Sequence, residues 1–255
     1  MSKGMLSIFR KGETAKAEDT ASSTPSKLTA ALYGQVARPA PPPLSSKRPP
    51  IAAEAPRAKL VFAFDATASR EVAWETSTAL TDALLAALPG RLDVALAVHG
   101  GNEVHTFTRF ESDAGELRDL AAGVRCRAGH TKLLDLLARV LETEGVDLVL
   151  YVGDTFEESP RRARKLAAAL AARNTRLIIL HDASSNNFGG EEVFAEMARL
   201  TSGAVLPFDA AALPRLRELL AAVAVLAVGG MPLLTARKEA LPGAHLLLEH
   251  LKDKG

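Results

Sequence analysis

With 255 residues, 47% of them hydrophobic and 24% charged, the chain can bury one sizeable core, and its length suits one domain with tails. The formal net charge of +1 hides an asymmetry: residues 1–59 carry ten Lys/Arg against four Asp/Glu, net +6, which leaves −5 on the remainder. The single cysteine, Cys126, excludes an internal disulfide framework and suits a reducing compartment, so a cytoplasmic location is expected.

The N-terminal run Met5–Phe9 is a short apolar patch between basic residues, too short for the apolar region of a secretory signal. From Gly12 to Arg57 the chain is rich in Ser, Thr, Ala, Lys and Pro and holds few large apolar side chains to offset the entropy of ordering. Residues 1–58 are therefore expected to form a disordered basic arm. It lacks the aromatic interleaving of a nucleic-acid surface, so no nucleic-acid partner is expected.

The folded part begins near Lys59. Leu60-Val61-Phe62-Ala63-Phe64 is apolar at every position, which suits a central parallel strand covered on both faces, and it delivers Asp65 to the strand's carboxyl end. Thr67 and Ser69 follow at alternate positions, so one turn offers a carboxylate and two hydroxyls. Hard oxygen donors of this kind suit a hard cation such as Mg²⁺.

Leu80, Leu84, Leu85 and Leu88 then recur at helical spacing until Pro89-Gly90, with Trp74 expected to pack in the core. Leu92–Val98 and Val104–Phe110 read as strands, and the short Gly100-Gly101-Asn102 connection makes them an antiparallel hairpin at one edge. Helices are predicted over 113–123, from Leu133 until Gly145, from Pro160 to about Arg173, over Glu191–Leu200 and from about Leu213 to Val228. Strands are predicted over Val146–Val152, Arg176–His181 and Ala204–Pro207. Alternation on this scale implies an α/β, Rossmann-like, mostly parallel sheet with helices on both faces.

The apolar run Leu219–Leu234 is 16 residues long and is broken by Gly229-Gly230 and Pro232. It falls short of a membrane span, and a buried helix is expected there. Residues 229–255, with Leu246, Leu247, Leu248 and Leu251 among charges, are expected as an amphipathic C-terminal tail after a domain over 59–228. His99, His105 and His181 lie in or beside strands without metal-ligand spacing, and the run Arg161–Lys165 is expected as a solvated helix face.

Two further loops carry oxygens where an open α/β sheet places its site: Thr131 ahead of the helix at Leu133, and Asp154 after the strand ending in Val152. Taken with Asp65, Thr67 and Ser69, this pattern resembles the von Willebrand factor A domain over roughly residues 59–228. That family's metal ion-dependent adhesion site combines an Asp-x-Ser-x-Ser turn after the first strand, a later loop Thr and an Asp after the fourth strand. Here Thr67 replaces the first Ser with its hydroxyl kept, and Gly153-Asp154-Thr155 stands where the family often has Thr-Asp-Gly. The resemblance implies a non-enzymatic binding module in a prokaryote-like chain. It would hold Mg²⁺, or Mn²⁺ or Ca²⁺ in its place, through Asp65, Thr67, Ser69, Thr131 and Asp154, and would leave one coordination position for a carboxylate of a protein partner. Intracellular relatives commonly act as adaptors beside chaperone-like ATPases, so an ATPase-associated assembly is the partner class implied. His130, Lys132, Thr155, Phe156 and the loop from Asp182 to Gly190 would shape specificity.

A second, fainter resemblance is to Mg²⁺-dependent haloacid dehalogenase-like phosphatases, with Asp65 as nucleophile and Asp154, Glu158 and Lys165 in support. Those enzymes place an acid/base Asp two residues after the nucleophile. This chain has Thr67 there.

Overall fold

The computed structural model describes residues 56–66, 91–123, 127, 129–182, 190–208 and 212–252. Residues 1–55 of the N-terminal arm, Thr67, Ser69, the helix expected before Pro89 with Trp74, Cys126 and residues 183–189 lie outside them.

Six strands make one sheet: β1 (Ala58–Asp65), β2 (Leu92–Gly100), β3 (Glu103–Phe107), β4 (Val146–Gly153), β5 (Arg176–His181) and β6 (Ala204–Pro207). Their order is β3-β2-β1-β4-β5-β6, and every pairing is parallel except β2 with β3. The sheet is thus mixed, mostly parallel, with the expected antiparallel hairpin at one edge. The six helices among the described residues are α1 (Ala114–Ala122), α2 (Leu133–Glu142), α3 (Pro160–Ala172), α4 (Glu191–Leu200), α5 (Leu213–Ala236) and α6 (Pro242–Lys252).

Side chains alternate between the faces of a strand, and here both faces are apolar, so each strand divides its residues between two cores. Leu60, Phe62 and Phe64 of β1, with Leu148, Leu150 and Val152 of β4, meet α1, α5 and α6. Val61 and Ala63, with Ala95 and Ala97 of β2 and Val149 and Tyr151 of β4, meet α2, α3 and α4. The three alanines on the second face let α2 approach closely, and Leu133, Leu134, Leu136, Leu137 and Val140 of that helix are buried. Full burial of one such leucine contributes on the order of 2 kcal/mol.

Beyond the expected end of the domain at Val228, α5 continues through Gly229-Gly230 to Ala236, bending at Gly230 (φ 61°, ψ −162°). Glycine tolerates that conformation, so the chain turns there and resumes a helix that Pro232 can begin. Behind it, α6 buries Ala244, Leu247 and Leu248 in the core shared with β1 and α5. The stretch read as a separate tail after Val228 therefore includes part of that core. Among the described residues, one helix is long and apolar enough to cross a membrane, the Pro214–Ala236 part of α5, with mean hydropathy 2.2. It packs on β1, β2, β4 and α6, with Leu219, Leu220 and Ala222–Leu226 buried, as a core helix does.

Candidate metal centre

Strands β1 and β4 are neighbours, yet the strand following β1 in sequence lies on one side of the pair and the strand following β4 on the other. This reversal makes the crevice at their carboxyl ends the topological switch point, where open α/β sheets bind ligands. Phe64 pairs with Val152, so the next residues outward, Asp65 and then Gly153-Asp154, edge that crevice. Asp65 and Asp154 are 2% and 4% exposed, and Thr131, at the entrance to α2, is 2% exposed.

Three strand ends and loops are tied together here. Ala66 N–H donates to the His99 carbonyl at 2.8 Å, and Arg127 N–H donates to the Ala66 carbonyl at 2.9 Å, which joins the Thr131 loop to the Asp65 turn. Gly100 permits that approach, because a Cβ there would stand 2.6 Å from the Ala66 oxygen. His130 N–H donates to Asn102 Oδ1 at 3.0 Å and holds the same loop to the hairpin turn.

The first turn of α2 explains why Thr131 matters. A threonine ahead of a helix usually turns its hydroxyl back to cap the first free N–H groups. Here no side chain of the helix's own N-terminal residue caps it; another side chain takes a first-turn donor, and two more hold the backbone just before the helix. Thr131 N–H donates to Glu157 Oε2 (3.2 Å), Lys132 N–H to His99 Nδ1 (3.2 Å) and Leu134 N–H to the Glu158 carboxylate (3.1 Å). The Thr131 hydroxyl is left buried, with no hydrogen-bond partner among the described residues. A buried unsatisfied hydroxyl costs roughly 1–3 kcal/mol unless a ligand engages it.

Asp154 is held by its own surroundings. Thr155 Oγ1 donates to Asp154 Oδ1 at 3.2 Å, and His181 Nε2–H donates to the Asp154 carbonyl at 3.0 Å. Glycine at 153 gives the Tyr151 ring its place, since a Cβ there would stand 2.4 Å from the Tyr151 hydroxyl. The Gly-Asp-Thr order of this loop thus has a local steric cause.

His99, wholly buried, lies opposite Asp65 in register, with Nδ1 3.9 Å from Asp65 Oδ1. Burial, with a smaller effect of His105, lowers its pKa to about 3, so the ring is neutral. Burial also raises the pKa of Glu158, against the pull of its backbone donors.

Of the site residues expected from sequence, the fold places Asp65, Thr131 and Asp154 at this one crevice. Thr67 and Ser69 lie outside the described residues. Sequence reasoning set His99 aside as lacking metal-ligand spacing, did not single out Tyr151 or Glu157 for the site, and considered Glu158 only as a supporting acid of the phosphatase reading. The pair Glu157-Glu158, just after Asp154, was the one available signal. Among the described residues no group of three or more His, Cys, Asp or Glu is arranged to hold a metal. The expected donor set is of another kind, two carboxylates with hydroxyls, and its hard oxygens fit Mg²⁺ in chemistry. The unsatisfied Thr131 hydroxyl fits such a ligand role as well.

No family model matches the chain, and no curated protein matches it. Solved structures do. A von Willebrand factor type A protein from Catenulispora acidiphila superposes with a TM-score of 0.54 at 12% identity, over 66% of this chain and 43% of that one. The fold is von Willebrand factor A-like. Proximal thread matrix protein 1 from the mussel byssus matches with a TM-score of 0.52 at 14% identity, over 65% of this chain and 45% of that one. The VWA domain of SpRpn10 matches with a TM-score of 0.50 at 12% identity, over 63% of this chain and 95% of that domain. The chain thus spans less than half the length of the first two.

Proposed function

We propose that this von Willebrand factor A-like domain is a metal-dependent protein-binding module. In this reading a divalent cation, Mg²⁺ or in its place Mn²⁺ or Ca²⁺, is held by Asp65, Thr67, Ser69, Thr131 and Asp154. When bound, the cation supplies a Lewis-acidic position that takes an acidic oxygen of a protein partner. The observation that carries the reading is the Thr131 hydroxyl, buried and unsatisfied at the switch point while Glu158 caps the first turn of the helix. Two aspartates would balance the charge of the ion, and a small cation of this type keeps water in its remaining positions until an oxygen ligand displaces it.

The rim supports selection of a partner by charge and shape. His130 is exposed and contacts Glu157 at 3.3 Å, and Lys132 lies 3.9 Å from Asp135. Phe156 is half-buried against Phe194, close to the turn at Gly190. A cytoplasmic adaptor in an ATPase-associated assembly is the setting we propose for it.

The phosphatase alternative is less well supported. Glu158 is engaged with the α2 N-terminus, and Lys165 lies on the exposed side of α3. The test is calorimetric titration of the full chain with Mg²⁺ and Mn²⁺, wild type against Asp65→Ala, with a generic phosphate-ester substrate assayed alongside. Binding lost in the variant, without turnover, supports the module. Turnover lost in the variant supports the enzyme instead. A third outcome, Thr131→Ala losing stability in Mg²⁺ while partner binding persists, would make the ion a purely structural tie.

A further inference from the structure

We propose that His99 is a positioning residue of this centre, fixing the backbone at Lys132 through Nδ1 and with it the placement of the Thr131 hydroxyl. The inference rests on the metal-binding reading and names a residue which that reading does not use.

His99 sits one residue before the end of β2. Alternation puts it on the same face as Ala95 and Ala97, the face covered by α2 and α3, and the parallel register sets it beside Asp65. Its exposure is 0%, and an imidazole so deeply buried is costly unless both nitrogens are satisfied. Both are. Because Lys132 N–H donates to Nδ1, that nitrogen carries the lone pair, and the proton is on Nε2. Nε2–H then donates to the Tyr151 hydroxyl at 3.2 Å, and the two rings stack with centroids 5.7 Å apart. One side chain of β2 thereby joins the Thr131 loop to β4, with Asp65 alongside.

The chemistry of the acceptor is specific. The Lys132 N–H, at the start of a helix, needs an acceptor, and His99 Nδ1 supplies it. A carboxylate there would set a second anion beside Asp65. The Nδ1 lone pair accepts the bond without adding an anion. Outer partners of this kind set the orientation of metal ligands, and their removal typically weakens metal affinity 10–100-fold.

The test separates the two nitrogens. In His99→Asn the side-chain carbonyl stands near the position of Nδ1 and can still accept from Lys132. In His99→Gln the amide reaches toward Tyr151 instead, and His99→Leu keeps neither bond. Mn²⁺ affinity of each full-length variant is measured by calorimetry, the fold by circular dichroism, and the Lys132 amide of the metal-free protein by its ¹⁵N–¹H shift and exchange. The expected result is near wild-type affinity and a protected Lys132 amide in His99→Asn, against about 10–100-fold weaker binding and faster amide exchange in the folded Gln and Leu variants. If those two fail to fold, His99→Asn decides: retained affinity supports the proposal and lost affinity overturns it. Wild-type binding that persists unchanged in Gln and Leu overturns the inference alone. A wild type that takes up no Mn²⁺ overturns the metal reading and the inference with it.

Discussion

The Glu158 carboxylate accepts the Leu134 N–H through both oxygens, at 3.1 and 3.3 Å, and so caps a helix that begins 25 residues earlier in the chain. This bond, with that of Glu157 to Thr131 N–H, couples the Asp154 loop to the Thr131 loop. Glu158→Ala leaves the donor at Leu134 without its acceptor and is expected to cost about 1–2 kcal/mol, as loss of a helix cap does. Glu158→Gln keeps an acceptor and is expected to lose much less. Urea unfolding at pH 7 measures both, and an Ala variant as stable as the wild type would contradict the capping role.

Acid should unfold the metal-free protein partly through His99. Its folded pKa of about 3 lies below the ordinary 6.5, so the unfolded chain takes up a proton before the folded one does. The stabilisation is complete above pH 6.5 and is lost progressively as pH falls towards 3, with a total on the order of 5 kcal/mol. Asp65, Tyr151 and the nearby His105 face the ring, so the comparison that isolates it is wild type against His99→Asn. Unfolding free energies in chelator at pH 7, 5.5 and 4.5 should fall more steeply in the wild type. Parallel slopes would mean that other groups carry the acid sensitivity.

Gly153→Ala tests the packing under Asp154. The added methyl would stand 2.4–2.6 Å from the Tyr151 hydroxyl and ring, and Tyr151 is wholly buried and bonded to His99. Overpacking of this kind costs typically 1–3 kcal/mol. The variant should unfold at lower urea and bind Mn²⁺ more weakly, because Asp154 moves with the strand end. Unchanged stability would show that the ring yields freely.

Most of the fold was legible because the strands are apolar at nearly every position and the helices carry regular leucine spacing. Asp65, Thr131 and Asp154 were legible for a related reason, since each adjoins an element whose end is plain in the sequence. The support around them was not. A histidine at a strand end says nothing of the amide it accepts from 33 residues away, and Glu157 and Glu158 reach back over 26 and 24 residues. Gly229-Gly230 and Pro232 read as a stop, yet a single residue at φ 61° lets the helix bend and continue. Such choices depend on what packs nearby, which local pattern does not carry.

The most direct test of the central claim is a crystal structure of the full chain grown with Mn²⁺, with the ion located by its anomalous scattering. The account predicts one Mn²⁺ in the crevice between β1 and β4, with the Thr131 hydroxyl among its ligands, and the same density absent in Asp65→Ala. A well-ordered crevice without Mn²⁺, its Thr131 hydroxyl bonded instead to protein or water, would contradict it.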